Sequence, residues 1–215
     1  MAISATTPAS LPIPGKSGLL GVARQLVGEA WTGASRFQYC GSISPWSLPT
    51  AAEKLLRKLG EVLTAEFGLV GLFGVDLVLD GQRLWTIEVN PRYTAAVEIV
   101  ERAQLTHAID WHLNDRGNVP FSPSLLDKNS AYHGKAILFS KHDATISGEF
   151  TRWALAQPDL ADIPQAGAPV LAGQPVLTVF AAAQSSRLIV PALKSRMAQL
   201  KHRIWEGATV CDWGS

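Results

Sequence analysis

The clearest periodic signal lies between residues 48 and 67. Leu55, Leu56, Leu59, Val62, Leu63 and Phe67 recur there at helical spacing, with Thr50 as N-cap ahead of Glu53 and Gly68 as a C-terminal stop. This predicts an amphipathic helix. The period then changes from 3.6 to 2 in "VGLFGVDLVLDGQRLWTIEVN", two β-rich runs separated by Asp80-Gly81, a hairpin signal. A second helix is expected from about Thr94 to Leu113.

The hairpin register decides which side chains share a face. Phe73, Val75, Leu77 and Leu79 form one face of the first strand, and Trp85, Ile87 and Val89 one face of the second. A two-residue Asp80-Gly81 loop would set the apolar face of one strand against the polar face of the other. A three-residue loop, Asp80-Gly81-Gln82, or an equivalent bulge pairs Leu77 with Trp85, Val75 with Ile87 and Phe73 with Val89. On the opposite face Gly74 then meets Glu88, and Asp76 and Glu88 become diagonal neighbours at roughly 7 to 8 Å. Asn90 follows two residues later.

Elsewhere the pattern is weaker. The first eighteen residues are rich in Ser, Thr, Pro and Gly and read as loop with a stub of strand at 3–5. Residues 19–27 and 36–43 read as short strands, although the first also suits a helical turn. Beyond the connector "VPFSPSLLDKNS", strands are expected at 132–139 and 168–180, with turns marked by Pro164, Gly167, Pro169, Gly173 and Pro175. Residues 187–205 form a basic amphipathic stretch whose apolar stripe is Leu193, Met197, Leu200 and Ile204. The expected fold class is therefore α+β. Residues 1–120 form one unit, and 121–215 a β-rich lobe closed by a terminal helix.

Composition removes several functional classes. With 215 residues and 47% hydrophobic content the chain can bury a real core. A net charge of +1 with scattered Lys and Arg lacks the footprint of a nucleic-acid or anionic-membrane binder. No run of about 18 apolar residues marks a membrane span, and the N-terminus lacks the apolar core of a signal peptide. Cys40 and Cys211 have no metal-ligand spacing and make no disulfide framework, so a reducing cytoplasm fits best.

The polar face of the hairpin carries the chemistry. Asp76, Glu88 and Asn90 offer hard oxygen ligands, the set that suits magnesium held against a nucleotide by one or two carboxylates plus phosphates. Arg92 follows Pro91, which ends ladder pairing, and offers a planar donor fork to a phosphate or carboxylate. The N-terminus of the next helix is itself an anion site. The competing reading is a solvated face with Arg92 in a surface ion pair.

These residues also carry a resemblance. "GVDLVLDGQRLWTIEVNPRYTAAVEIVE" resembles the end of the ATP-grasp fold, in which an acid on one strand is followed by Glu-x-Asn on the next and Arg two positions later. "GLLGVARQLVGE", "FQYCGSISP" and "AEFGLVGLFGVD" are similar to predicted ATP-dependent carboligases related to biotin carboxylase. The resemblance covers about residues 1 to 115. "ADIPQAGAPVLAGQPVLTVFAA" is similar to the small β-rich lobe that follows the ATP-grasp core.

The resemblance implies ATP as substrate and Mg2+, with Mn2+ as a substitute, held by Asp76, Glu88 and Asn90. Arg92 would bind phosphate or an acyl-phosphate. The implied reaction is ligase or carboligase chemistry, in which a small carboxylate is phosphorylated and an amine or other nucleophile then displaces phosphate. The implied departure is that the family's substrate lobe, phosphate-binding lysine and most adenine contacts lie upstream of this segment. The alternative is thus a truncated or degenerate half, inactive without that lobe, a partner chain or a homo-oligomer. A smaller departure is Ala96, where relatives carry Ser.

Other residues invite simpler readings. Lys16 in "PGKSG" lacks both the spacing and the preceding strand of a phosphate loop. His107 and His112 lie five apart, on different helix faces, unlike the i, i+4 pair of a zinc helix. His133 and His142 have no ligand cluster around them. Trp31, Trp46, Trp153, Trp205 and Trp213 form no repeat and suit packing. Glu98 either meets substrate or favours the helix dipole, and Arg24 and Gln25 either line the same cleft or sit on a solvated strand edge.

Overall fold

A computed structural model describes residues 1–9 (4–9 as backbone only), 18–105, 107–109 and 131–206. Lys16, His112, Cys211, Trp213, the 119–130 connector and the predicted end of the second helix near 113 lie outside the described residues. The chain divides into two units, Met1–Gln25 with Ser42–His133, and Leu26–Gly41 with Gly134–Ser215.

In the first unit the strands run in the order β5-β4-β1-β2-β3, to which β2 contributes residues 21–25 and β3 residues 42–44. They are β1 (Ala2–Ala9), β2 (Gly21–Val27), β3 (Tyr39–Ser44), β4 (Gly71–Asp80) and β5 (Arg83–Asn90). β1 pairs antiparallel with β2 and with β4, and β4 antiparallel with β5. The stub of strand expected near the N-terminus is thus a full central strand.

Helix α1 (Thr50–Phe67) matches its periodicity, but its N-cap is Pro49, with Thr50 the first helical residue and no side-chain cap. A proline fits there because the first N–H groups of a helix have no intrahelical partner. Gly68 closes the helix at φ 60°, as the stop signal requires. Leu56 and Leu63 of α1 pack on Ile3, Val22, Phe73, Val75 and Leu77, the core face of the sheet. Helix α2 (Ala95–Gln104) ends earlier than predicted, at Leu105 in the left-handed region.

Helix α2 covers the other face of the sheet and comes close because two strand residues are glycine. A Cβ at Gly21 would stand 2.5 Å from Val100, and one at Gly74 would stand 2.8 Å from Thr94 Cγ2. The Gln104 amide of α2 also donates to the Leu20 carbonyl. Ala96, Val97, Ile99, Val100 and Ala103 are buried by this approach. One end of α2 is therefore held over β4, and its later turns over the start of β2.

In the second unit β6 (Tyr132–Phe139), β10 (Pro175–Ala183) and β8 (Leu160–Ala161) lie side by side in that order, and β7 (Ala144–Thr145) pairs with β9 (Pro169–Val170). Helix α3 (Gly148–Leu155) was not foreseen in a lobe read as β-rich. Its signal was Ser147, the N-cap whose hydroxyl accepts from the Phe150 N–H at 3.1 Å. Helix α4 (Ser186–Glu206) buries the predicted stripe of Leu193, Met197, Leu200 and Ile204 and contains Pro191 in an early turn. Arg196 of α4 grips Asp159 with two donors at 2.6 and 3.0 Å.

Candidate functional site

The β4–β5 hairpin differs from the predicted register in a way that tightens the site. Asp80 pairs with Arg83, so the loop is the two residues Gly81-Gln82, with Gly81 at φ 58°. This sets Leu79 opposite Leu84 and Leu77 opposite Thr86. A bulge follows, because Asp76 pairs with Glu88 and leaves Ile87 without a partner on β4. Val75 then meets Val89 and Gly74 meets Asn90.

Two expectations are corrected. Trp85 and Ile87 are not core residues; they are 56% and 67% exposed, and Leu84 with Val89 supplies the β5 side of the core. Asp76 and Glu88 are directly opposed rather than diagonal, a position that brings Cβ atoms to roughly 4.5 to 5.5 Å. The face they share also carries Gly74 and faces α2.

Asp76 is held from a third strand. Gln25 of β2 donates from Nε2 to Asp76 Oδ1 at 3.0 Å, reaching across β1. Of the two residues left open in the sequence, Gln25 therefore joins the carboxylates. Arg24 turns to the other face, its guanidinium 5.3 Å from the centroid of the Trp46 ring. Glu88 is exposed and has no hydrogen-bond or ion-pair partner among the described residues.

Asn90 is 8% exposed and ends β5 opposite Gly74. Beyond it the chain turns through Pro91, with the Arg92 N–H donating to the Asn90 carbonyl at 2.8 Å. The Arg92 guanidinium folds back on this turn, donating to the Tyr93 carbonyl at 3.1 Å and to Asn90 Oδ1 at 3.4 Å. Three further guanidinium N–H donors and a second lone pair on the Asn90 oxygen leave capacity for a ligand. Thr94 is the N-cap of α2 without a side-chain cap bond. The helix N-terminus therefore adds partial positive charge beside Arg92.

The donor set fits a magnesium ion shared with a phosphate group. All candidate ligand atoms are oxygens, and two carboxylates are the number magnesium takes when phosphates complete its shell. Among the described residues there is no cluster of three or more His, Cys, Asp or Glu that could enclose a metal by itself. His107, His133 and His142 accordingly enter no such group.

Beside Arg92 an open groove of about 750 Å3 follows α2, lined by Tyr93, Thr94, Glu98, Glu101, Arg102 and His107 among others. Its acids are already engaged. Tyr93 donates from its hydroxyl to Glu101 at 2.6 Å, Glu101 also accepts from the Ala108 N–H at 2.5 Å, and Glu98 pairs with Arg102 at 3.6 Å. Burial first, then Glu101, pushes the Tyr93 hydroxyl well above its ordinary range, so it remains a donor. No local pattern in the sequence announces this network, because Tyr93 and Ala108 meet Glu101 across eight and seven positions.

Parts of the chain are similar to known proteins. Residues 10–96 match the family model of the ATP-grasp domain. The formate-dependent phosphoribosylglycinamide formyltransferase of Cupriavidus necator is 37% identical over 106 residues, 49% of this chain and 25% of that protein. The carbamoyl phosphate synthase large chain of Pseudomonas syringae pv. tomato is 38% identical over 61 residues, 28% of this chain and 6% of that one. Among solved structures, L-amino acid ligase from Bacillus licheniformis superposes with a TM-score of 0.67 at 14% identity, covering 92% of this chain and 50% of that chain. The Campylobacter jejuni biotin carboxylase complex with β,γ-ATP gives 0.64 at 13% identity, covering 89% and 43%. The matched chain spans a quarter or less of these two curated relatives and half or less of the two structures. Over residues 10–96 the chain is therefore similar to ATP-grasp domains, and its fold is that of the ATP-grasp structures it superposes on.

Proposed function

We propose that this chain binds ATP with Mg2+ on the α2 side of the β4–β5 hairpin, as part of a ligase that activates a small carboxylate by phosphorylation. The observation that carries the reading is the direct opposition of Asp76 and Glu88, with Asn90 and Arg92 following along the same chain. Asp76, Glu88 and Asn90 would hold the metal. Bound there with ATP, magnesium supplies charge neutralisation to the phosphate oxygens.

The chain's own groups do the rest. Arg92 exchanges its long bond to Asn90 for phosphate oxygens, to which a guanidinium binds with two parallel donors. The α2 N-terminus faces the same developing negative charge. In the proposed reaction a substrate carboxylate oxygen attacks the γ-phosphorus, ADP leaves, and an amine or other nucleophile displaces phosphate from the resulting acyl-phosphate. A protein acting this way positions and stabilises, and needs no nucleophile of its own.

Isothermal titration of ATP with Mg2+ into the 215-residue chain tests the binding claim, with Glu88→Ala as control. Saturable binding that disappears in the variant supports the site. A folded wild-type chain that takes up no heat at millimolar nucleotide overturns it. Because the chain spans only part of its relatives, turnover is a separate claim: release of ADP dependent on an added carboxylate supports a ligase, and binding without turnover supports the non-catalytic reading.

A further inference from the structure

We propose that Gln25 is a positioning residue for the metal site, one that fixes the Asp76 carboxylate while adding no positive charge to it. The inference rests on the magnesium reading above and extends it to a residue on a different strand. Gln25 reaches across β1 to donate to Asp76 Oδ1 at 3.0 Å, over a sequence separation of 51 residues. Asp76 in turn stands opposite Glu88. With Oδ1 held, Oδ2 has a defined direction, and the pair presents its charge to a cation in one geometry.

The chemical identity of the donor matters as much as its position. A lysine or arginine could reach the same oxygen, and would pair with the carboxylate more strongly than an amide does. Such a cation would compete with a divalent ion for the same charge. The adjacent residue is a cation, Arg24, and β2 directs it to the opposite face, where it lies over the Trp46 ring at 5.3 Å. Of these two neighbours, the neutral one faces Asp76. Outer groups that orient metal ligands typically contribute tenfold to a hundredfold in metal affinity.

The test reads Mn2+ binding on the full chain by the water-proton relaxation enhancement that the protein adds to Mn2+–ATP, beside thermal unfolding of each variant in chelator. Gln25→Leu is expected to bind Mn2+ about tenfold to a hundredfold more weakly, with its metal-free unfolding temperature close to wild type. Gln25→Lys discriminates between roles. If Gln25 only braced the fold, lysine would serve equally well; as a charge-neutral positioner, its replacement by lysine abolishes Mn2+ binding while the metal-free fold stays intact. Gln25→Asn, one methylene shorter, retains the amide and the fold and also binds more weakly, which keeps the test decisive if leucine disturbs folding. Wild-type affinity in the leucine and lysine variants overturns this proposal and leaves the magnesium reading standing. No Mn2+ binding by wild type with ATP overturns both.

Discussion

Asp76 faces Glu88 because Ile87 is an extra residue in β5. Without that bulge the register set by the loop would pair Val75 with Glu88, and the two carboxylates would lie on opposite faces of the sheet. The pairing brings two negative groups to directly opposed positions, an arrangement that costs stability in a bare sheet. Neutralising one side chain should therefore stabilise the metal-free protein. Glu88→Gln is expected to raise its unfolding free energy by about 0.2 to 1 kcal/mol, measured by denaturant titration in chelator at low salt. The same substitution should remove Mg2+-dependent ATP binding, and equal or lower metal-free stability would contradict the repulsion argument.

The bulge itself can be tested apart from the side chain that forms it. Ile87 is 67% exposed, so Ile87→Ala should change stability by no more than about 0.5 kcal/mol. Deleting Ile87 is different. It forces either the Gly81-Gln82 loop or the Asp76–Glu88 pair out of register, and each one-residue slip turns side chains to the opposite face. The deletion should lose ATP–Mg2+ binding and several degrees of thermal stability, whereas the alanine variant keeps both. Loss of binding in the alanine variant would mean that the side chain, rather than the register, matters.

The parts of this fold that the sequence revealed are those where one face is buried along a whole element. α1 and α4 each carry an apolar stripe, and β4 buries Phe73, Val75 and Leu77 on alternate positions. β6 was expected at 132–139 and lies at Tyr132–Phe139. β5 misled because Trp85, Ile87 and Val89 alternate like a core face, although β5 is the last strand on its side of the sheet and Trp85 and Ile87 lie on the surface. Alternation also cannot show where a strand carries one residue too many. Asp76, Glu88, Asn90 and Arg92 stand out by their spacing, and the structure sets Asp76 opposite Glu88 and Arg92 against Asn90. The bond from Gln25 was not, since it joins residues 51 positions apart through a strand pairing that no local pattern announces.

His133 gives the first unit a pH dependence with a defined sign. Burial first, and the nearby Arg102 second, lower its pKa from the ordinary 6.5. Below pH 6.5 the unfolded chain therefore binds a proton at this position more readily than the folded chain. This group's contribution to stability is full above pH 6.5 and is lost as pH falls toward the lowered value. His133→Gln should flatten that part of the profile, measured as denaturant midpoint between pH 5 and 8 in wild type and variant. An unchanged slope would assign the pH dependence to other groups.

Gly74 links the sheet to the start of α2, and through it to Arg92. A Cβ at this position would stand 2.8 Å from Thr94 Cγ2 and 3.2 Å from Thr94 Oγ1, too close for either atom to stay where it is. Gly74→Ala should therefore push Thr94 outward, at a cost typical of overpacking, about 1 to 3 kcal/mol. Because Thr94 caps α2 and Arg92 lies two residues before it, the displacement also moves the donors proposed to bind phosphate and should weaken ATP–Mg2+ binding without touching Asp76 or Glu88. Thr94→Ser removes the clashing methyl group. The double variant Gly74→Ala, Thr94→Ser should recover part of both losses, a coupling that a double-mutant cycle isolates. Additive effects of the two substitutions would show that the close contact between β4 and α2 does not set the position of Arg92.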